Sequence, residues 1–308
     1  MGLGTPVGTA RRASAPPARP LDLAVVGHVV VDHLVSVARL PARDRTVPAL
    51  ARSDELGGTA ANLALAAAGF GVRTALISRV GVDFPPSFRA RLATAGIDLR
   101  GLERVSGATS STCIIVHDAA GEQMTVIDQG PLGDAHDAPI PDAVISQSSW
   151  VHLGTGDPAY LRRIQRRARE LGRSVAFDPA QEIHYRWDRR RLQPVLAAAE
   201  MLFGNDHEIA AVVRLTGAGS VRRLLDIVPT VVMTRGARGA RAYFRGGQVD
   251  VPSVRVPHVA DPTGAGDAFR GGFYAGWFAG EPLPRCLSAG SRAAASWLRG
   301  RAVNRRKG

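Results

Sequence analysis

Short apolar runs alternate with amphipathic stretches along most of the chain, and this alternation predicts the fold class. The apolar runs predict buried strands at 21–27, 74–80, 150–155, 174–179, 200–205 and 230–236. The stretches between them predict helices at 59–69, 84–95, 158–171, 206–213 and 219–226. Strand followed by helix, repeated, indicates an α/β fold with a mainly parallel central sheet flanked by helices. Such a sheet binds ligands beyond the carboxyl ends of its strands.

Two segments depart from this alternation. Residues 29–40 and 110–128 alternate β-branched and polar side chains, the second around a turn at AAGE. This period of two predicts antiparallel strands. We expect a small β-sheet lid beside the main sheet, with its strands at about 29–50 and 108–130.

Composition predicts a globular protein with basic ends, and the length allows one large domain or two ordinary ones. The chain has 308 residues, of which 45% are hydrophobic and 21% charged, and no apolar run approaches the ~18 residues that predict a membrane helix. Residues 1–20 are rich in Ala, Pro and Arg, which predicts a flexible basic tail. We expect the domain at 21–299 and a second basic tail at 300–308. Two widely spaced cysteines favour the reducing cytoplasm.

The net charge of +12 raises the alternative of a nucleic-acid-binding protein. Most of the excess lies in the two ends, where 1–20 and 292–308 contain no acidic residue. Solvated tails are therefore the favoured interpretation. The single lysine, Lys307, excludes the phosphate loop ending in GK[ST], the protein-kinase strand lysine and an internal Schiff-base lysine.

The segment DPTGAGD (261–267) carries the strongest chemical signal, because it is a glycine-rich turn at the predicted start of a helix. The backbone N–H groups of Gly264, Ala265 and Gly266 would face an anion there, aided by the helix dipole. Asp267, in the first turn, is a candidate base for a hydroxyl held against the same anion site. A plain tight turn with an ordinary first-turn carboxylate is the alternative.

The string DPTGAGDAFRGGF resembles the second signature of the PfkB family, the ribokinase-like carbohydrate and nucleoside kinases. Further strings resemble the family in the right order: GGTAANLALAAAGFG (57–71), VGVDF, AGID, AFDPAQ, NDHE and TRGARG. The resemblance covers about residues 21–295. It implies a ribokinase-like fold, ATP as the phosphoryl donor and Mg²⁺ as the metal.

The resemblance also implies roles for the donor side. Asp267 would be the general base for a primary hydroxyl, and the Gly-rich turn would neutralise charge on the transferring phosphoryl group. Glu208, with Asn205 and through water, would organise Mg²⁺; a capping box formed by the same two residues is the alternative, and both can hold. The family pattern puts three residues near the nucleotide: Thr234, Gly236 and Gly239. In some relatives the position of Asp261 helps to hold a monovalent cation such as K⁺.

On the acceptor side, the resemblance implies that Asp32 accepts hydrogen bonds from two sugar hydroxyls, the alternative being a surface carboxylate. Gly57, Gly58 and Asn62 would line the same pocket, although the glycines alone also fit a simple helix-entry turn. Gln181 is a candidate contact to the base or the ribose.

The acceptor class rests on finer likenesses. VVDHL, GDPAYL, DPAQ and NDHE resemble bacterial and archaeal adenosine or nucleoside kinases, which favours a ribonucleoside. Against this, the lid strand SSTCIIV has no aromatic residue to stack on a purine. The alternatives are a sugar kinase acting on ribose, fructose or a sugar phosphate, and a catalytically weak nucleoside- or sugar-binding relative. The short segment after 299, which predicts an incomplete nucleotide pocket, motivates the weak relative. Exposed lid strands would also allow a homodimer through the lid.

Overall fold

The computed structural model describes residues 20–257 and 262–304, and the side chains as far as residue 300. In chain order the strands are β1 (Leu21–Val26), β2 (Val30–Val37), β3 (Ala49–Gly57), β4 (Thr74–Val80), β5 (Asp98–Arg104), β6 (Thr112–Asp118), β7 (Gln123–Asp128), β8 (Ser148–Leu153), β9 (Ser174–Phe177), β10 (Met201–Asn205), β11 (Thr230–Thr234), β12 (Ala240–Phe244) and β13 (Gly247–Val251). The α-helices are α1 (Thr59–Gly69), α2 (Pro86–Thr94), α3 (Gly130–Gly133), α4 (Asp142–Gln147), α5 (Pro158–Glu170), α6 (Arg189–Ala197), α7 (Asp206–Thr216), α8 (Ala265–Phe278) and α9 (Leu283–Asn304).

The main sheet has the strand order β13-β12-β11-β10-β9-β8-β1-β4-β5 in the described residues. Its strands pair in parallel from β5 to β11, which confirms the predicted α/β class. Strands β12 and β13 add an antiparallel hairpin at one edge. Parallel strands are buried on both faces, so their sequences are continuous apolar runs.

Two apolar layers cover the sheet. Along β1, Ala24 and Val26 face the layer built from α4, α5, α6 and α7. Leu23 and Val25 face the opposite layer, which contains α1, α2, α8 and α9. This alternation follows from the two-residue period of a strand. The second layer brings α8, which follows the glycine-rich turn, against α1, which lies within the segment GGTAANLALAAAGFG.

The small sheet has the order β3-β2-β6-β7 in the described residues. Strands β2 and β3 are antiparallel, as are β6 and β7. The prediction of antiparallel strands is confirmed for both segments, and the contact between them, β2 with β6, is a parallel pairing that the sequence did not predict. Strand β2 follows β1 and strand β6 follows β5, and since β1 and β5 run parallel in the main sheet, β2 and β6 enter the lid from the same end. Strand β3 was largely missed because its sequence, ALARSDELG, lacks a β-branched alternation.

The remaining elements differ from expectation in small ways. The helix predicted at 59–69 has those bounds, whereas the one predicted at 219–226 is a 3₁₀ helix at Arg222–Asp226. Helix α9 continues past residue 299, the predicted domain limit, to Asn304. Among the described residues, no helix combines the length and apolarity that crossing a membrane requires.

Candidate active site

The glycine-rich turn leads into α8, which begins at Ala265. The residue before the helix, Gly264, adopts a left-handed conformation with φ of 79°. A Cβ atom on Gly264 would also lie 2.8 Å from the Trp297 indole. The indole Nε1 donates to the Thr263 carbonyl at 2.9 Å. Backbone angle and space therefore both require glycine here.

The predicted anion site is the backbone of Gly264, Ala265 and Gly266. The turn itself uses one of these groups, because the Ala265 N–H donates to the Pro262 carbonyl at 3.1 Å. Ala265 and Gly266 line a cavity of about 630 Å³. The 14-residue helix α8 adds the partial positive charge of its N-terminus at this point. The geometry fits an anion, and the role of the three residues stays a prediction.

Asp267 lies in the first turn of α8 and is only 8% exposed. Its Oδ2 accepts a hydrogen bond from Asn62 Nδ2 at 3.3 Å, and its Oδ1 lies 3.5 Å from Arg270 Nη1. Burial raises the pKa of Asp267 to about 6, with a further rise from Glu208, while Arg270 and the Asn62 hydrogen bond lower it. The structure thus joins two predicted site residues that are distant in the sequence.

The predicted metal residues form the capping box that was their alternative interpretation. The Glu208 N–H donates to Asn205 Oδ1 at 2.9 Å, and the Asn205 N–H donates to Glu208 Oε2 at 2.7 Å. Glu208 is 6% exposed, and its charge raises the pKa of both Asp178 and Asp267. The same carboxylate therefore caps α7 and faces the centre of the site.

Two buried residues of this centre were missed by the sequence analysis. Asp178 follows β9, and Arg270 lies one turn after Asp267 on α8. Arg270 Nε contacts Asp178 Oδ2. Arg270 belongs to the quoted string DPTGAGDAFRGGF and Asp178 to AFDPAQ, yet neither string shows that the two meet. The spacing of Arg270 three residues after Asp267 was the available signal.

On the acceptor side, Asp32 lies on β2 and Gly57 ends β3. A Cβ atom on Gly57 would lie 1.9 Å from Asp32 Oδ2, so the carboxylate rests directly over this glycine. Gly58 has φ of 91°, and a Cβ atom there would lie 2.4 Å from the His28 carbonyl oxygen. Helix α1 starts immediately afterwards and carries Asn62 to Asp267. Four predicted residues on the acceptor side therefore belong to one continuous piece of structure.

Gln181 is exposed on the 3₁₀ helix Ala180–His184 that follows β9. An aromatic residue missed by the sequence analysis, Tyr185, ends this helix and is 58% exposed. Its hydroxyl accepts a hydrogen bond from Gln129 Nε2 at 3.2 Å, just after lid strand β7. Burial raises the pKa of Tyr185, and Glu182 and Cys113 add to the rise. Cys113 pairs with Asp32 across β2 and β6, so its effect on the pKa of Tyr185 indicates that this aromatic residue lies near the acceptor side of the site.

The predicted nucleotide residues lie together. Thr234 and Asn205 are neighbours on adjacent strands, and Thr234, Gly236 and Gly239 line the 630 Å³ cavity with Ala265 and Gly266. Its other lining residues include Ser253–Val256 and, from α9, Ser291, Ala294, Ala295 and Leu298. Helix α9 thus forms one wall of the cavity. Asp261, the predicted cation residue, lies outside the described residues.

A larger cavity, about 750 Å³, has a different lining. It lies among Leu34 and Asp54 of the lid, Phe70 after α1, Phe88 of α2 and Trp297 of α9. None of the predicted site residues lines it. Cavity size alone therefore does not identify Asp267 as a candidate site residue.

The fold and the buried centre at the start of α8 define a ribokinase-like α/β protein. A family model for the pfkB family carbohydrate kinases matches residues 21–303. The chain belongs to this family, whose members transfer a phosphoryl group to an alcohol, and the predicted resemblance is confirmed.

Three relatives set the level of similarity. A nucleoside kinase of Methanothermobacter thermautotrophicus is 34% identical over 86% of this chain and 85% of its own length. An ATP-dependent ribose-1-phosphate kinase of Halopiger xanaduensis is 32% identical over 85% of this chain and 86% of its own. The crystal structure of a Methanocaldococcus jannaschii nucleoside kinase superposes with a TM-score of 0.84 at 25% identity, covering 92% of this chain and 93% of that one.

Proposed function

We propose that this protein transfers the γ-phosphoryl group of ATP to a primary hydroxyl of a ribonucleoside. The observation that carries the proposal is the position of Asp267 between two sites. On one side its carboxylate meets Asn62 of α1, the helix that starts beside Asp32 and Gly57. On the other side, the preceding residues Ala265 and Gly266 line the 630 Å³ cavity.

This position suits an in-line transfer. Asp267 takes the proton of the acceptor hydroxyl as the hydroxyl oxygen forms its bond to the γ-phosphorus. The bond to the β,γ-bridging oxygen breaks, and its electron pair leaves with ADP. Negative charge on the transferring group meets the backbone of Gly264, Ala265 and Gly266 and the positive end of the α8 dipole. Proton acceptance and charge neutralisation are thereby provided by one turn of chain.

The donor side also fits Mg²⁺. The carboxylate of Glu208 lies at the start of α7, close enough to the site to raise the pKa of Asp178 and of Asp267. Oxygen ligands of this kind suit a hard cation. Glu208, with Asn205 and through water, would hold the ion, which when bound neutralises phosphate charge. A role for K⁺ at Asp261 stays a prediction.

Two observations favour a ribonucleoside over a phosphorylated sugar. Asp32 and Glu55 are cross-strand partners on β2 and β3, so the two carboxylates lie on the same face of the lid, and Glu55 also lines the 750 Å³ cavity. Two carboxylates repel an acceptor that already carries a phosphate. Tyr185 offers an exposed ring on which a base can stack. The relatives named as nucleoside kinases agree with this choice, whereas the ribose-1-phosphate kinase keeps the sugar phosphate as the second candidate.

The deciding experiment measures ADP release with ATP and Mg²⁺ across purine and pyrimidine ribonucleosides, ribose, fructose and ribose 1-phosphate. We expect the highest kcat/KM with a ribonucleoside. A preference for ribose, fructose or ribose 1-phosphate would overturn the acceptor. Calorimetric binding of a ribonucleoside with no ADP formed would instead identify a binding protein of weak catalytic power.

Replacing Tyr185 with alanine tests the base contact. Because stacking of a base on an aromatic ring is worth about 1–3 kcal/mol, Tyr185→Ala should raise the KM for a ribonucleoside by about tenfold or more. The KM for ribose, which has no base, should not change. Tyr185→Phe keeps the ring and removes only the hydrogen bond from Gln129, so its KM should stay close to that of the wild type. Equal losses for ribose and for ribonucleoside in Tyr185→Ala would exclude stacking.

The pH dependence of kcat/KM follows from the buried base. Asp267 must be ionised to accept a proton, and burial raises its pKa to about 6. The rate should therefore level off above this pH and fall about tenfold per pH unit below it. Steady-state rates between pH 5 and 9 provide the measurement. A profile that stays flat down to pH 5 would contradict this assignment.

Three further expectations stay predictions. A homodimer through the lid is supported by three exposed apolar side chains on one face of β6 and β7, where Ile114 pairs with Val126 and Met124 pairs with the half-buried Val116. A cytoplasmic location is consistent with the free thiols of Cys113 and Cys286. Nucleic acid stays the less favoured partner, since three arginines of the basic helix α5 are engaged: Arg163, Arg167 and Arg169.

A further inference from the structure

Arg270 lies at the centre of the candidate site and was assigned no role by the sequence. It is 7% exposed, and its side chain runs from α8 toward the end of β9. Its Nε contacts Asp178 Oδ2, and its Nη1 lies 3.5 Å from Asp267 Oδ1. One guanidinium therefore links the candidate base to a second buried carboxylate, using the planar fork that suits arginine for this task.

The guanidinium of Arg270 also lies against the glycine-rich turn. A Cβ atom on Gly266 would be 2.8 Å from Arg270 Nη1, so the absence of a side chain on Gly266 leaves the space that the arginine occupies. The positions of Gly266, Asp267 and Arg270 are thus mutually dependent within one turn of α8.

The charges around Arg270 are mostly negative. Asp178, Asp267 and Glu208 raise the pKa of Arg270 more than its burial lowers it. The other titratable groups that face the cluster are His152 of β8 and Tyr274 of α8. His152 Nε2 lies 3.8 Å from Asp178 Oδ2, and its Nδ1 is 2.9 Å from the Tyr274 hydroxyl.

Neither of these two groups replaces the arginine as a positive charge. Burial holds the pKa of His152 well below its ordinary value, with Arg270 lowering it further, so the imidazole is neutral at working pH. Burial likewise raises the pKa of the Tyr274 hydroxyl, which stays neutral. Among the described residues that face Asp267, Arg270 therefore supplies the permanent positive charge.

We propose that Arg270 is a positioning residue for phosphoryl transfer, which keeps Asp267 ionised and aimed at the acceptor by tying it to Asp178. The inference rests on the proposed function, because it takes Asp267 as the base. Its physical basis is that a carboxylate without a nearby positive charge in a buried site retains its proton. A purely structural ion pair, which would affect folding but leave the protonation of Asp267 unchanged, is the alternative.

The test replaces Arg270 with methionine and with lysine and measures kcat and acceptor KM from pH 5 to 9. Without the guanidinium, the pKa of Asp267 rises, so Asp267 is protonated and inactive at neutral pH and regains its charge as the pH increases. Arg270→Met should lower kcat at pH 7 by at least tenfold, shift the acidic limb of the pH profile upward by about two pH units or more, and leave the acceptor KM within about threefold of the wild type. Arg270→Lys restores a positive charge, so the acidic limb of its pH profile should return toward the wild-type position.

A matched control is Arg79→Met. Arg79 of β4 is also largely buried, and it pairs with Glu103 at 2.8 Å, outside the candidate site. Arg79→Met removes a comparable ion pair outside the candidate site, so any effect on kcat shows what loss of a structural ion pair alone does. Its pH profile should match the wild type. If Arg270→Met lowers kcat with an unmoved acidic limb, the inference is wrong. If the methionine variant does not fold, Arg270→Gln, which also removes the positive charge, is judged by the same criterion.

A measurement without turnover separates this inference from the proposed function. Infrared difference spectra of the ligand-free protein record the C=O band of a protonated carboxyl group, and the part missing in Asp267→Asn belongs to Asp267. We expect this band to titrate at higher pH in Arg270→Met than in the wild type. An unshifted band overturns the role of Arg270 even if the enzyme is an active kinase. A shifted band in a protein that phosphorylates none of the acceptors supports the role of Arg270 and overturns the function.

Discussion

Asp267→Asn should lower kcat by about 10²–10⁴-fold, the usual contribution of a general base. The amide has nearly the same shape as the carboxylate, and its oxygen can still accept the hydrogen bond from Asn62 Nδ2 that now measures 3.3 Å. It cannot accept the hydroxyl proton. Acceptor affinity, measured by calorimetry without ATP, should therefore stay within about threefold of the wild type.

Asp142→Asn is the matched control for this variant. Asp142 also lies in the first turn of a helix and pairs with an arginine, Arg167, at 2.7 Å, but the pair is exposed. Its loss should leave kcat unchanged, because an exposed ion pair contributes little. Wild-type turnover in Asp267→Asn would remove the base assignment, and loss of acceptor binding would show that the carboxylate serves binding instead.

Gly57→Ala should raise the acceptor KM by about 10²-fold while leaving the fold intact. The new Cβ atom would lie 1.9 Å from Asp32 Oδ2, and the end of a flexible side chain is the part that can move away. The substitution thus moves the Asp32 carboxylate without removing it. Each hydrogen bond to a charged group is worth about 1.5–3 kcal/mol, and two such bonds to sugar hydroxyls account for a loss of this size.

Two further variants test this interpretation: Asp32→Asn is the comparison, and Gly69→Ala is the control. Asp32→Asn removes the charge in place and should weaken acceptor binding in the same direction as Gly57→Ala. Gly69 ends α1, and a Cβ atom there would have no heavy atom within 4 Å, so Gly69→Ala should leave KM at the wild-type value. A wild-type KM in Gly57→Ala would mean that Asp32 does not contact the acceptor.

The main sheet could be predicted from the sequence because its signals are local. A parallel strand buried on both faces must be apolar at every position, so each run stands out. The glycine-rich turn before α8 was equally visible, since Gly264 needs a positive φ that its residue type permits. Asp267 could therefore be selected as a candidate before its surroundings were known.

The rest of the site depends on contacts between residues far apart in the sequence, which no local sequence pattern predicts. Asp178 and Arg270 meet across a long stretch of chain, and no periodicity relates them. The parallel pairing of β2 with β6 is set by the path of the chain through the main sheet, whereas the alternation within each strand is the same for either direction. Tyr185 belongs to a loop, and its position beside the lid follows from where β9 ends.

The pairing of β2 with β6 has a consequence for how this molecule can be rearranged. Strands β2 and β3 form one excursion between β1 and β4, and β6 and β7 form another between β5 and β8. The contact between β2 and β6 closes the lid from these two separate insertions. Replacing the lid with that of a relative would therefore require exchanging both insertions together. If only one were exchanged, β2 and β6 would come from different proteins, and their side chains would not be matched for pairing.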